Sequence, residues 1–511
     1  LRATGWRLRS SGILGDWDMS ADQFPSHWQL LPLSEAVDAL IDYRGKTPRK
    51  TNHGVPLVTA KIVKGGTILP ATEYIAEEDY DSWMVRGLPK AGDVVVTTEA
   101  PLGEVAQLAN ENVALAQRIV TLRGAEGLLQ NDYLRYVMQG AYIQGQLESR
   151  ATGSTVKGIK QSELRKIILP IPPEHEQIKI AGHLRALDDK IQLNHQINQT
   201  LEQMAQAIFK SWFVDFDPVK AKIAALEAGG SEEETLLAAM QAISGKGEAQ
   251  LTRLQAEQPE QYAELRATAE LFPSAMQDSE LGEIPEGWAA RPFGELLEKT
   301  IGGDWGKEEP DEKHTEMVKI LRGTDLPNIY AGDDGKVPTR YVEPKKLKTR
   351  SLKPGDIVIE VSGGSKGQPT GRSLFLTSRL LKRLGTCEPA SFCRLFRPKD
   401  QETGLLLGLH LQHIYAEGKT WLYQNQSTGI SNFQTKIFLE HELVATPPET
   451  VMHVFYKRVI PLINRIHGDE SAVLAALRDS LLPKLLSGEL SITRNLSETA
   501  SESLTAEQEA T

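Results

Sequence analysis

Two stretches of the 511-residue chain are strongly cationic. Residues 43–72 hold Arg44, Lys46, Arg49, Lys50, Lys61 and Lys64, with no acidic side chain among them. Residues 336–383 hold twelve basic side chains against three acidic ones; Lys336, Arg340, Lys345, Lys346, Lys348, Arg350, Lys366 and Arg372 are among the twelve. Guanidinium and ammonium groups at this density suit a phosphate backbone, which responds to local fields rather than to whole-chain charge. A third stretch, TGSTVKGIKQSEL (152–164), sets Ser154, Thr155, Lys157 and Lys160 on a glycine-containing backbone. It supplies N–H, O–H and ammonium donors of the kind that hold phosphates. Its counterpart STGISNFQTKIF (427–438) brings Ser431 and Lys436. Both stretches read equally as turns that deliver the chain to a following strand.

The sequence offers little for catalysis. No phosphate-cradling G-x-x-x-x-G-K-[ST] occurs; GGSKGQPTGR (363–372) is nearest and has the wrong spacing. No G-x-G-x-x-G follows a strand pattern, and neither C-x-x-C nor H-E-x-x-H is present. His410 and His413 share a helical face without a further ligand candidate, so a structural pair is favoured over a metal site. Glu99 and Glu360, on strands that match each other, are candidate buried acids. Cys387 and Cys393 read as small core residues in a reducing compartment.

These side chains need scaffolding, and the sequence supplies it twice. After the extended LPIPP (169–173), about 40 residues run with no proline, from Glu174 to Phe213. Leu184, Leu187, Ile191, Asn194, Asn198, Leu201, Ala205, Ile208 and Trp212 fall at alternating steps of three and four, a heptad seam with two asparagines. Such a helix spans roughly 60 Å. VATPPE (444–449) repeats LPIPPE (169–174), and Ile460, Ile466, Leu474, Leu477, Leu481, Leu482, Leu485 and Leu486 match Leu187, Leu193, Leu201, Met204, Ile208, Phe209, Trp212 and Phe213 at one offset further on. Pro25, Trp28 and Pro32 of FPSHWQLLP recur as Pro285, Trp288 and Pro292. The chain therefore holds two copies of one module followed by a long helix. The two apolar stripes are expected to bury each other in an antiparallel pair. Within each copy, GDVVVTTEA (92–100) and PGDIVIEVSGG (354–364) read as matching strands of a curled sheet, giving an α+β fold.

The expected division is a disordered leader (1–20), a first module (21–168), a helical region with linker (169–282), a second module (283–443), a last helix (444–490) and a disordered tail (491–511). Met19 is a candidate initiator, and the linker 214–282 shows helical stretches but no strand pattern. Net charge is −11, but residues 166–282 hold 10 basic against 18 acidic side chains, while both modules are near neutral. The acidity sits on the helical part. No run of 18 apolar residues is present, so no helix is expected to span a membrane.

As a set, YRGKTP (43–48), GDVVVTTEAPLGEV (92–105), TGSTVKGIKQSEL (152–164), LPIPPEHEQIKIAGHLRALDDKI (169–191), AIFKSWFVDF (207–216), LGEIPEGW (281–288), IGGDWGKE (301–308) and LLPKLLSGEL (481–490) resemble the specificity subunit of a type I restriction–modification system. The second copy departs from that pattern in VATPPETVMHVF, which lacks the Glu-Gln pair of 176–177, and in Pro461. The resemblance implies two target recognition domains joined by two long antiparallel helices in a coiled coil, reading a bipartite, asymmetric double-stranded DNA target. Half-sites read from one face lie roughly 34–36 Å apart. It implies two methyltransferase (modification) subunits docked on the helices and further restriction subunits. S-adenosylmethionine, ATP and Mg would belong to those partners, with no cofactor in this chain, and the location would be a prokaryotic cytoplasm. Two alternatives stay open: a methyltransferase or nuclease with an unrecognised active site, and an assembly adaptor without a DNA role.

Overall fold

The computed structural model describes residues 23–330, 332, 337–363, 367–427 and 430–490. The expected leader and tail, with Lys336, Lys366, Thr428 and Gly429, lie outside the described residues. The chain divides into two compact units. One joins the residues up to Lys190 to those from Leu474 onward; the other is Ile191–Val473.

In the first unit a four-stranded sheet has the order Val37–Asp42, Ile119–Gly124, Val94–Thr98, Leu102–Gln107, antiparallel throughout. Val94, Val95 and Val96 are all buried. Successive strand residues point to opposite faces, so an unbroken valine run marks a strand covered on both sides. Val94 and Val96 pack with Tyr133, Leu134 and Val137 of the helix Asn131–Gln139. Val95 packs with Leu57, Ile75 and Leu115. Those three belong to a smaller sheet in which Val55–Val58 pairs parallel to Ala114–Leu115 and antiparallel to Tyr74–Ile75.

The second unit repeats this topology. Its sheet runs Leu297–Gly302, Cys393–Pro398, Ile357–Glu360, Ser373–Phe375. Its smaller sheet again has one parallel pair, Glu316–Leu321 with Cys387–Pro389, and one antiparallel pair, with Thr339–Val342. Each module also closes its entry strand on the strand preceding its long helix: Gln29–Pro32 on Ile168–Ile171, and Ala289–Pro292 on Leu443–Thr446.

The long helix, Glu174–Phe213, is continuous over 40 residues. Every seam position predicted from the heptad pattern is buried or half-buried, whereas Leu193 and Met204 beside the seam are exposed. Within the second unit it runs antiparallel to the helix Glu449–Ile466: Phe213 stacks edge-on against Phe455 at 4.6 Å, and Asn198 and Ile466 both border Gly332. Within the first unit Asp188 pairs with Arg478 of the helix Glu470–Leu486, and Leu184 shares a core with Leu485 and Leu486.

Two expectations are corrected. The last helix is not continuous: it breaks at His467–Asp469, where Arg383 Nη1 holds the Gly468 carbonyl at 2.6 Å and His467 is fully buried beside Tyr330. Pro461, on an exposed face, does not end its helix. The linker does contain strands, since Met276–Ser279 and Gly282–Pro285 form a hairpin joined by Glu280 and Leu281, and Gly282, first in the returning strand, has φ +90°. Before it stand the helices Asp217–Glu227, Glu232–Ser244, Glu248–Glu257 and Pro259–Glu270. Ser231 caps the second of these in a capping box with Glu234, so Glu232, Glu233 and Glu234 form its first turn.

Candidate nucleic-acid interface

The hydroxyl- and lysine-bearing loop of the first module is a tight hairpin. Thr152 and Gly158 exchange two backbone hydrogen bonds, at 2.8 and 2.9 Å. Gly153 has φ +109°, and a Cβ there would lie 2.2 Å from the Val156 carbonyl oxygen, so glycine is required. The loop therefore carries Ser154, Thr155 and Lys157 outward, all exposed. Lys157 lies 3.5 Å from Glu148, and Lys160 is exposed and unpaired among the described residues.

The cations of residues 43–72 divide into two kinds. Lys46, Arg49 and Lys64 are exposed and unpaired among the described residues. Lys50 and Lys61 share Glu73 at 2.9 and 3.6 Å; the Lys50 hydrogen bond, chiefly, holds that carboxyl below its usual range. Arg44 is a structural strut: its Nη1 donates to the Ile159 carbonyl at 2.6 Å and its Nε lies 3.1 Å from Asp42.

In the second module the short helix Pro344–Arg350 carries Lys345 and Lys348, exposed and unpaired among the described residues. Lys346 bridges Glu343 and Asp304 at 2.9 and 3.2 Å, and Arg350 donates to the Gly302 carbonyl. Burial pushes the Asp304 carboxyl up, but the Trp305 N–H, Lys346 and Arg350 outweigh it and leave it low. Arg340 pairs with Glu308 at 3.0 Å and lies over the Trp305 ring. Lys436 is exposed, 3.9 Å from Glu440. Ser431 is buried in the strand Ile430–Phe433. Arg372 grips the buried Glu360 through two hydrogen bonds, at 2.5 and 2.8 Å.

The matched-acid expectation holds only for Glu360. Glu99 is half-buried, and the pairing of the two sheets aligns Thr97, not Glu99, with Glu360. His410 Nε2 lies 2.8 Å from Glu442 Oε1, and Lys419 and Tyr423 reach the same carboxyl. Burial alone would raise Glu442, but His410, Lys419 and Tyr423 together hold it down at about 2.

Residues 25–203 match the family described as Type I restriction modification DNA specificity domain. The type I restriction enzyme HindI specificity subunit of Haemophilus influenzae is 33% identical over 393 residues, covering 75% of this chain and 79% of that protein. The chain belongs to the type I specificity-subunit family. A second such subunit, MjaIX of Methanocaldococcus jannaschii, is 24% identical over 433 residues, 82% of each chain. The crystal structure of a type I system S subunit from M. genitalium aligns with a TM-score of 0.46 at 14% identity, over 90% of this chain and 96% of that one.

In this specificity subunit, sequence reasoning missed two features of the second module. One is Glu388, fully buried on the strand Cys387–Pro389 with neither carboxyl oxygen hydrogen-bonded among the described residues. The other is the polar ribbon of Gln424–Ser427 and Ile430–Phe433, joined by Ser362–Gly363 into three strands. Its signal was the density of Gln, Asn and Ser in QNQSTGISN, unusual for a strand. No helix among the described residues is long and apolar enough to cross a membrane.

Proposed function

We propose that this chain is the non-catalytic reader of a type I restriction–modification complex. The modules at 21–168 and 283–443 act as target recognition domains, each reading one half of a bipartite DNA site. The observation that carries this is a duplicated module whose two copies share topology but differ in their exposed polar side chains. Shared topology supports two equivalent dockings; unlike side chains support two unlike half-sites and hence an asymmetric target. The unpaired Lys46, Arg49, Lys64, Lys160, Lys345 and Lys348 hold phosphates and set register, while ion-paired Arg340, Arg350 and Arg372 support the loops. The helical region, with its excess of acidic groups, docks two methyltransferase subunits away from phosphate, and restriction subunits join the assembly. Methyl donor, ATP and Mg²⁺ are bound by those partners in the cytoplasm of a prokaryote.

The test is to co-express the chain with its methyltransferase partners and map modified bases genome-wide. A two-part motif with unlike halves is expected. Modification without sequence preference would count for an assembly adaptor. Stoichiometric methyl-donor binding by the isolated chain would count for an enzyme.

A further inference from the structure

Both modules carry, at the same topological position, a row of three residues across three strands. In the second module Ser362 stands opposite Asn432, and Asn432 opposite Asn425. Strands lie about 4.8 Å apart, so the row spans roughly 10 Å. Asn425 and Asn432 are exposed, whereas Phe433 and Ser431, on either side of Asn432, are buried on the opposite face. Ser362 Oγ donates to Asn432 Oδ1 at 2.8 Å and steadies that amide.

In the first module the bridges Glu99–Gly158 and Gly158–Thr152 build the same row. The sheet pairings align Val94 with Ile357, an offset of 263 that carries Glu99 onto Ser362. The side chain of Glu99 lies across Gly158, where an added Cβ would sit 3.4 Å from Glu99 Cγ. Glu99 makes no hydrogen bond or ion pair among the described residues. Thr152 is exposed at the far end of the row.

We propose that these two rows read base edges in the major groove and that their unlike side chains set the two half-sites. The proposal rests on the DNA-reading function above. A β-ribbon fits the major groove, where every base pair shows a distinct donor and acceptor pattern. A carboxylate only accepts, so Glu99 takes the exocyclic amino group of cytosine or adenine and rejects the acceptor edge of guanine. Thr152 adds a methyl contact of the kind thymine offers. Asn425 and Asn432 each carry a donor beside an acceptor, the match for N6 and N7 of adenine. The exposed hydroxyls and Lys157 of loop 153–157 stand next to the first row, where a phosphate would follow the base it reads.

The experiment measures binding of the full chain, with its methyltransferase partners, to a library of randomised duplexes. Wild type is compared with Glu99→Gln, Asn425→Ala, Asn432→Ala and Asn432→Asp. Glu99→Gln should change the preferred base at one position of one half-site. The two alanine variants should relax the other half-site by about tenfold per position, with an unaltered salt slope. Asn432→Asp keeps the size of the side chain and removes its donors, so it should shift the position that Asn432→Ala relaxes; thermal melting confirms folding. Unchanged preferences, or an equal affinity loss on every sequence, overturn the rows alone. A wild-type complex with no base preference overturns the DNA-reading function as well.

Discussion

Glu176 Oε2 accepts the indole N–H of Trp28 at 3.0 Å, whereas the matching positions of the second module, Val451 and Trp288, make no such bond. Trp288 is instead wedged among Phe213, Phe216 and Phe272, and its buried Nε1 has no hydrogen-bond partner among the described residues. Gln177 is equally local to the first module: its amide reaches the carbonyls of Leu128 and Pro172 and the N–H of Gln130. The second module has Met452 there. One helix entry is thus polar and directional, the other apolar. A double-mutant cycle on Trp28→Phe and Glu176→Val should give a coupling of about 1–2 kcal/mol in urea unfolding. A coupling near zero would show that the bond adds nothing.

The unpaired cations of the first module should carry its salt dependence. Replacing Lys46, Arg49 and Lys64 together by alanine should weaken DNA binding on all sequences. The slope of log affinity against log salt should fall by up to about three. Lys50→Ala with Lys61→Ala should change it less, because those two already neutralise Glu73. An unchanged slope for the first set takes the stretch out of the interface.

Arg372 and Glu360 belong to the fold rather than to phosphate. Gly323 and Gly363 leave room for the carboxyl: a Cβ on either would come within 2.7 Å of Glu360 Oε1. Arg372→Ala leaves a buried carboxylate unpaired and should lower stability by about 3–5 kcal/mol. Replacing both residues by methionine should recover most of that. Weaker DNA binding by Arg372→Ala with an unmoved melting temperature would place the arginine on DNA instead.

Glu388 should make stability depend on pH. Burial pushes its carboxyl up to about 7 from an ordinary 4.5, against the pull of Arg350 and Lys346. The folded chain therefore holds a proton that the unfolded chain releases. The stabilisation is complete below about pH 4.5 and is lost as the pH rises through about 7. Glu388→Gln keeps the site neutral, so it should gain on the order of 2 kcal/mol at pH 8 and nothing at pH 4. Urea melts at the two pH values decide it; an equal shift at both would assign the effect to packing.

The repeat and the seam were legible because both are written in periodic apolar positions. Trp28 and Trp288, or Leu184 and Trp212, declare themselves by spacing alone. The break at Gly468 was not, since glycine inside an apolar period is compatible with a continuous helix; the chain turns there because Arg383 and Tyr330, distant in sequence, hold His467 and Gly468. The hairpin at 276–285 was hidden because MQDS and GEIP lack β-branched density. The cationic stretches were visible, but composition does not separate Lys46, which has no carboxylate partner among the described residues, from Lys346, which has two. The cross-strand neighbours were hidden as well: superposing Gly92-Asp93 on Gly355-Asp356 already carries Glu99 onto Ser362, but it takes the pairings to learn that Glu99 faces Gly158 and that Ser362 faces Asn432.

The first unit draws on both ends of the described chain: Leu485 and Leu486 complete the core that Trp28 and Leu184 begin, and Gly488 lies against Pro25. On the ribosome this reverses the usual order, in which N-terminal parts mature first. The second unit has all its pieces once Val473 has emerged, while the first waits for the last turns of helix to be synthesised. A nonsense mutation between residues 474 and 485 would therefore injure the module made earliest and spare the one made latest.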